Sequence, residues 1–126
     1  MTDFKDPKLV AETALQVFFN VSKFWDLTDE QEYILLGISD RNIFNKLKSC
    51  KTTSSLENEV LERISHLLNI YKYLNILLGS PDAANRWITT PNHADLFKGK
   101  TALLYMLNNG LHGISEVHNY LFENMG

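Results

Sequence analysis

Residues 56–78 read LENEVLERISHLLNIYKYLNILL, and this stretch decides the fold that the sequence predicts. Its apolar side chains recur at alternating spacings of four and three residues, which is the period of one face of an α-helix. This first stripe consists of Val60, Ile64, Leu67, Tyr71, Leu74 and Leu78. A second stripe beside it starts polar and becomes apolar; it consists of Arg63, His66, Ile70, Tyr73 and Leu77. A helix that is apolar nearly all round is buried on more than one side, either by its own chain or by a partner chain.

Capping residues predict a helix before this stretch and mark the start of the stretch itself. Asp6 suits an N-cap and Pro7 the first helical position, where the missing N–H of proline costs nothing, so a helix is expected from there to about Val21. Ser54 and Glu57 have the spacing of a capping box at the start of the core helix. Alternation with period two never persists, so the predicted fold is all-α, a compact multi-helix domain.

Residues 28–49 predict a helix-turn-helix-like segment. Thr28 and Gln31 form a capping box that opens a short helix to about Leu36, and Gly37 suits the left-handed residue that ends it. A tight turn with glycine between two short helices is typical of this DNA-binding motif. The N-terminal region is therefore a candidate DNA-binding module.

The second helix of this segment is expected over residues 40–49, with Ser39 as its N-cap. Three of its apolar side chains are expected to face inward: Ile43, Phe44 and Leu47. Positive charge is concentrated here, because residues 37–53 hold four basic residues and one acidic residue, whereas the rest of the chain holds eight basic and fourteen acidic residues. The net charge of −3 argues against a protein that coats nucleic acid indiscriminately.

The polar side chains of this second helix match the chemistry of DNA recognition. Arginine and asparagine make bidentate contacts with guanine and adenine, and lysine contacts phosphates without reading sequence. The candidate DNA-binding residues are Ser39, Arg41, Asn42, Asn45, Lys46, Lys48 and Lys51. The alternative is a solvated helix face within a module that does not contact DNA.

The sequence offers no convergent set of catalytic or metal-binding groups. His112 and His118 are six residues apart, which does not place them on one helix face, and no cysteine or acidic pair completes a metal site. The run Gly99-Lys100-Thr101 lacks the earlier glycine and the preceding strand of a phosphate-binding loop, so it predicts the start of a helix. We therefore expect no catalytic residues, no metal, no cofactor and no enzymatic activity.

Composition and termini indicate the compartment. No run of about 18 consecutive apolar residues exists that could span a bilayer, so no membrane association is expected. The N-terminus lacks the pattern of a secretory signal, and a single cysteine, Cys50, fits a reducing compartment. The expected location is the cytoplasm.

Several residues in the second half of the chain predict where helices start and stop. Gly79 ends the core helix, Ser80 and Pro81 cap and start the next one, and Gly110 suits a left-handed cap. The remaining predicted elements are a loop over residues 89–100 and two short helices over residues 101–107 and 114–124.

The order of residues in this half is more specific than any one of them. It combines an Asp-x-x-x-x-Trp helix, a Pro-Asn loop, a Gly-Lys-Thr turn and a final helix ending in Val-x-x-Tyr-Leu. The residues are Asp82, Trp87, Pro91, Asn92, Gly99, Lys100, Thr101, Leu103, Met106, Leu107, Gly110, Gly113, Val117, Tyr120 and Leu121. In order and spacing they resemble the toxin-binding domain of the Xre/MbcA/ParS-like antitoxin family. One departure is Ala102, which stands where the family pattern has proline.

The resemblance implies an antitoxin of a type II toxin–antitoxin system. Its partner would be a RES-domain toxin, which consumes NAD, and the C-terminal segment of the antitoxin would block the toxin's active site. The toxin-binding residues implied by position are Asn108, Asn109, His112, His118, Asn119, Phe122, Glu123 and Asn124, while Val117, Tyr120 and Leu121 are expected inside. The competing interpretation of this end is a packed and fraying terminus.

The resemblance also implies a bacterial homodimer that represses its own operon by binding operator DNA. The expected organisation is an N-terminal helical region over residues 1–53 and a toxin-binding domain over residues 54–126. One alternative is a helix-turn-helix transcriptional regulator without a toxin partner. Another is a small helical enzyme or ligand-binding domain whose site has no recognisable pattern.

Overall fold

The computed structural model describes residues 6–49 and 56–125. Within these residues the chain forms six α-helices and no strand, which confirms the all-α prediction. The helices are α1 (Pro7–Trp25), α2 (Asp29–Leu36), α3 (Arg41–Lys48), α4 (Asn58–Leu78), α5 (Pro81–Trp87) and α6 (Ala102–Glu123). Three residues with predicted roles, Cys50, Lys51 and Ser54, lie outside the described residues.

The chain divides into two compact units, Met1–Ser65 and His66–Gly126. The division falls within α4, the helix that the opening stretch of sequence predicts. The predicted domain boundary between residues 53 and 54 lies outside the described residues and stays a prediction.

Helix α1 begins as predicted and ends later. The carboxylate of Asp6 accepts a hydrogen bond from the backbone N–H of Lys8 at 3.0 Å, so the predicted N-cap is confirmed. The predicted end near Val21 is wrong by about one turn, because Trp25 is buried on the same helix and extends its apolar face. The helix stops at Asp26, which adopts the left-handed conformation with φ of 56°.

The predicted capping box between Thr28 and Gln31 is confirmed, as is the left-handed Gly37 with φ of 75°. Helix α3 departs from expectation at its start, because Asp40 and not Ser39 is the N-cap. One carboxylate oxygen of Asp40 accepts from the backbone N–H of Asn42 at 2.8 Å. A carboxylate at this position also complements the helix dipole.

The buried face of α3 is narrower than predicted. Phe44 and Leu47 are buried as expected, whereas Ile43 is 50% exposed and its expected inward orientation is wrong. In an eight-residue helix, residues three apart share one stripe and a direct neighbour is rotated by about 100°. Ile43 therefore lies beside the stripe made by Phe44 and Leu47.

The unit His66–Gly126 follows the predicted stops and starts closely. Gly79 ends α4 with φ of 72°, and the hydroxyl of Ser80 caps α5 by accepting from the backbone N–H of Ala83 at 3.1 Å. The loop after α5 carries Phe97, whose side chain is fully buried. The hydroxyl of Thr101 then caps α6 by accepting from the backbone N–H of Leu104 at 3.0 Å.

Helix α6 consists of the predicted pair of helical stretches, but they meet at a kink and are not separated by a loop. It runs from Ala102 to Glu123 with one non-helical residue, Gly110, at φ of 61° and ψ of −151°. The break at Gly110 is confirmed, whereas the predicted gap between residues 107 and 114 is too wide, because Gly113 lies inside the helix after the kink. Ala102 is the first helical residue, a position that also suits proline, so this departure from the family pattern leaves the start of α6 intact.

Candidate interaction sites

The last turns of α6 combine a buried face with an exposed one. Val117 and Leu121 are buried, as expected, and Tyr120 is half-buried with its ring edge-on to Phe97 at 5.4 Å between centroids. Four of the predicted toxin-binding residues are exposed on these turns: Asn119, Phe122, Glu123 and Asn124. Phe122 is 61% exposed, the highest fraction among the large apolar side chains of the described residues.

His118 is half-buried, unlike these four residues. Its Nδ1 atom lies 2.6 Å from Nδ1 of His66, and its ring lies 5.5 Å from the ring of Tyr73. Burial, followed by the nearby His66, lowers the pKa of His118. A contact this short between two ring nitrogens is a hydrogen bond only when one ring donates and the other accepts, so at least one imidazole is neutral.

The remaining predicted toxin-binding residues lie around the kink of α6. Asn108, Asn109 and His112 are exposed there, about 15 Å along the helix from its last turns. Nε2 of His112 lies 3.4 Å from a carboxylate oxygen of Glu116, and the side-chain amide of Asn109 donates to the carbonyl of Tyr105 at 2.8 Å. The structure therefore distributes the predicted residues over two places on one helix.

Asn92 holds the loop before α6 in one conformation. Its backbone N–H donates to the carbonyl of Lys100 at 3.1 Å, and its carbonyl accepts from the N–H of Gly99 at 2.8 Å. Its side-chain oxygen accepts from the N–H of Ala94 at 2.9 Å. Three hydrogen bonds from one residue close the loop, which gives a physical role to the Pro-Asn element of the sequence pattern.

Phe97 is the centre of an aromatic cluster that joins this loop to two helices. Its ring lies edge-on to Trp87 of α5 at 5.7 Å and edge-on to Tyr105 of α6 at 5.8 Å, in addition to its contact with Tyr120. Such edge-to-face pairs contribute about 0.5–1.5 kcal/mol each beyond the burial of their surface. The cluster fixes α6 on both sides of its kink.

Sequence reasoning missed a groove beside the first half of α6. It has a volume of about 420 Å³, and Lys98, Lys100, Asn108 and Asn109 are among its lining residues. Its signal in the sequence is the pair of lysines that flank Gly99, and a helix-start turn at Gly99-Lys100-Thr101 gives Lys98 no role.

The exposed face of α3 carries most of the predicted DNA-binding residues. Arg41, Asn42, Asn45 and Lys46 are exposed, whereas Phe44 and Leu47 are buried, and Ser39 is exposed just before the helix. The guanidinium of Arg41 lies 5.4 Å from the ring centroid of Tyr33, a cation–π distance. One polar face of α3 thus presents the side chains that the sequence singled out.

Lys48 is bound to carboxylates of α2. Its ammonium donates to Asp29 at 2.5 Å and to Glu32 at 2.7 Å, and Glu32, only 4% exposed, also accepts from the hydroxyl of Ser22. The hydrogen bond with Lys48 lowers the pKa of Asp29, and the hydrogen bonds with Asp29 and Glu32 raise the pKa of Lys48. This network ties α1, α2 and α3 together.

The described residues contain neither a metal-binding cluster nor a membrane-spanning helix. No group of three histidine, cysteine, aspartate or glutamate side chains in residues 6–49 and 56–125 is arranged to hold a metal ion. In the same part of the chain, no helix has the length and apolar character needed to cross a membrane.

Comparison with known proteins identifies the family of the C-terminal domain. The family model for the antitoxin Xre/MbcA/ParS C-terminal toxin-binding domain matches residues 73–122. A relative from Sinorhizobium fredii, the uncharacterized protein y4oB, is 37% identical over 112 residues, which are 89% of this chain and 84% of the relative. No solved structure matches the chain. Residues 73–122 of this chain thus belong to the toxin-binding domain family of Xre/MbcA/ParS antitoxins.

Proposed function

We propose that this protein is the antitoxin of a type II toxin–antitoxin system in the bacterial cytoplasm. It binds an NAD-consuming RES-domain toxin and covers the toxin's active site with the C-terminal segment of α6. Membership of the antitoxin family supports a toxin partner, and the type of toxin follows from the resemblance described above. The protein acts by complex formation and needs no catalytic group or cofactor of its own.

The main support for this proposal is that the C-terminal end of α6 has one buried face and one exposed face. Val117 and Leu121 anchor the last turns in the core, while Phe122 places a large apolar ring in solvent on the same turns. An exposed aromatic side chain held on a rigid helix is a typical anchor of a protein interface, because it loses little conformational entropy on binding. Asn119, Glu123 and Asn124 surround Phe122 with polar groups that suit the rim of such an interface.

The test is neutralisation of the toxin encoded beside this gene. We expect a chain that ends at Leu121 to lose protection in co-expressing cells and to lose inhibition of NAD consumption in vitro. This truncation keeps the buried Val117 and Leu121, so the helix retains its core contacts. Phe122→Ala should weaken toxin binding by about 2 kcal/mol or more, as expected for an interface anchor.

Leu104→Ala is the matched control, because Leu104 is a large apolar side chain exposed on the first half of α6. It should leave inhibition unchanged. Full protection by a cooperatively folded chain that ends at Leu121 would contradict active-site occlusion by this segment. Inhibition of a toxin that does not consume NAD would contradict the RES assignment alone.

Autoregulation by operator binding is a second proposed activity. The polar face of α3, with Arg41, Asn42, Asn45 and Lys46 exposed together, supports it. Lys48 contributes less to this proposal because Asp29 and Glu32 already hold its ammonium. If the protein bound DNA and no toxin, it would instead be a helix-turn-helix regulator, and co-purification with the product of the adjacent gene separates the two functions.

Homodimer formation is the third proposed property. The C-terminal end of α4 leaves Ile76, Leu77 and Leu78 partly exposed, and contiguous apolar side chains of this kind are typical of association surfaces. A molecular mass of one chain at all concentrations in sedimentation equilibrium would contradict a dimer.

A further inference from the structure

The groove beside the first half of α6 carries positive charge that the described part of the chain does not neutralise. Lys98 and Lys100 line it, and neither forms an ion pair with another residue among 6–49 and 56–125. Asp95 is the one carboxylate in the lining, so the groove keeps a net positive charge. Two ammonium groups without partners in one concave site favour an anionic ligand.

The backbone places Lys98 in this groove at an energetic cost. Its φ of 51° is in the left-handed region, which is strained for residues other than glycine and which a lysine rarely adopts. The conformation is held by a hydrogen bond from the N–H of Lys98 to the carbonyl of Ala94 at 3.0 Å and by the bonds of Asn92 to Gly99 and Lys100. The position of the Lys98 backbone is therefore fixed before any ligand arrives.

The other lining groups suit a peptide. Asn108 is an exposed amide that can donate to and accept from backbone groups. Asn109 uses one amide N–H on the carbonyl of Tyr105 and keeps its side-chain oxygen and its second N–H for a ligand, and Leu96 adds a half-buried apolar side chain. Tyr105 is already occupied, because its hydroxyl donates to a carboxylate oxygen of Glu116 at 2.5 Å. The groove thus offers two cations, two amides and one apolar contact.

A nucleic acid backbone fits this site less well. Residues 66–126 contain four basic and four acidic residues, so this half of the chain has no net positive charge to attract a polyanion. Asp95 inside the groove would repel phosphates, which carry charge at every nucleotide. An extended peptide can carry just one or two carboxylates. These can pair with the two lysines while the rest of the peptide places no negative charge beside Asp95.

We propose that this groove is a second docking site for the toxin, in which Lys98 and Lys100 bind carboxylate side chains of an acidic segment of that protein. The inference rests on the proposed function, because the groove lies within the matched toxin-binding domain. It deepens that function by adding an electrostatic contact at the kink of α6 to the apolar contact at the end of the helix. Charged contacts of this kind raise association rates and fix the register of a complex.

Neutralising the two lysines tests the site. Lys98→Asn combined with Lys100→Gln removes both charges, and asparagine tolerates the left-handed conformation at position 98. Lys72→Gln combined with Arg86→Gln is the matched control, since it removes two positive charges from exposed positions outside the groove. We expect the groove variant to bind the toxin about tenfold more weakly or worse, with a reduced salt dependence, and the control to bind like the wild type.

A second measurement uses a probe that does not depend on the toxin. The capped peptide acetyl-Glu-Leu-Glu-amide, titrated to millimolar concentration, should shift the amide NMR signals of Lys98, Lys100, Asn108 and Asn109. The peptide acetyl-Gln-Leu-Gln-amide should not, and neither peptide should shift them in the groove variant.

The outcomes separate the two proposals. Equal toxin affinity of the groove variant and its control would overturn the docking site while leaving neutralisation by the end of α6 intact. Equal shifts with both peptides would overturn the carboxylate chemistry. If the wild type bound no toxin but bound the glutamate peptide, both toxin proposals would fail, and the groove would remain a binding site for carboxylates. Thermal unfolding of each variant establishes that it is folded.

Discussion

Gly113 shows how one residue permits the shape of α6. A Cβ atom built on it would lie 2.5 Å from Cβ of Asn109 and 3.3 Å from the carbonyl oxygen of Tyr105. The kink at Gly110 brings the preceding turn this close, so the helix can bend only where a side chain is missing. The two glycines therefore have different roles, since Gly110 supplies the positive φ and Gly113 supplies the space.

Gly113→Ala should destabilise the protein. In an ordinary helix this change is favourable by up to about 1 kcal/mol, but here the added methyl overpacks a buried position at a cost of about 1–3 kcal/mol. We expect a lower midpoint of urea unfolding. The double variant Gly113→Ala with Asn109→Gly removes the opposing Cβ, so the two changes should be less than additive. A more stable Gly113→Ala variant would contradict this account of the kink.

The buried Glu32 is another residue whose role depends on its neighbours. It is in the first turn of α2, where a carboxylate complements the helix dipole, and the sequence indicates no more than that. In the folded chain Ser22 of α1 and Lys48 of α3 both donate to it. A buried carboxylate without those two donors would be strongly destabilising.

At the scale of elements, α3 is a short helix with two separate uses. Phe44 and Leu47 pack inward, and the ring of Phe44 lies 6.3 Å from Phe19 of α1 and 5.6 Å from Tyr33 of α2. The outward face keeps Arg41 and Lys46 in solvent. Substitutions on the outward face should therefore change recognition without changing the fold.

Arg41→Ala combined with Lys46→Ala should weaken operator binding. Each lost base contact costs on the order of 1–3 kcal/mol, and each lost phosphate contact reduces the salt dependence. The measurement is a gel-shift titration at moderate salt with DNA from upstream of the gene. Inhibition of the toxin should remain intact.

Lys8→Ala combined with Lys23→Ala is the control for charge, because both lysines are exposed on α1. We expect this double variant to bind operator DNA slightly more weakly, because it lowers the net positive charge without removing a specific contact. If both double variants lost the same operator affinity, α3 would contribute only net charge to DNA binding. If neither variant changed the titration, the proposed DNA binding would be wrong.

At the scale of the whole molecule, the shifted groups predict how stability depends on pH. The pKa of His118 lies below its ordinary value of 6.5, so the unfolded chain binds this proton more readily than the folded one. The stability that depends on neutral His118 is fully present above about pH 6.5, and it is lost as the pH falls through the pKa of His118 in the folded state. The lowered pKa of Asp29 acts in the same direction below 3.8. The hydrogen bond with Glu116 raises the pKa of Tyr105, so stability falls above about pH 10.0, and the raised pKa of Lys48 adds to this loss above 10.5.

The free energy of unfolding should therefore be highest between about pH 6.5 and 10.0 and should decrease from pH 7 to pH 5. Urea unfolding at fixed ionic strength measures this. His118→Asn should reduce the decrease, because it removes the half-buried group that resists protonation. His112→Asn is the control, since His112 is exposed on the same helix and should leave the decrease unchanged. A wild-type stability that is flat across this range would contradict the prediction.

Local signals in the sequence predicted much of the fold. The capping box of Thr28 and Gln31, the left-handed Gly37 and the start of α5 at Pro81 depend on a few consecutive residues, and the structure confirms them. Failures occurred where two neighbours suit the same role, as with Ser39 and Asp40. They also occurred where a short helix leaves its buried face ambiguous, as with Ile43.

The sequence alone determined that the chain is helical, where most helices begin and end, and which antitoxin family its second half resembles. These properties follow from hydrogen bonds and side-chain periodicity within a few residues. Only the tertiary structure decided that Glu32 is buried with Ser22 and Lys48, that His66 meets His118, and that Lys98 shares a groove with Asn108. Those contacts join residues 10 to 52 positions apart, and the packing of apolar faces, which no local pattern specifies, brings them together.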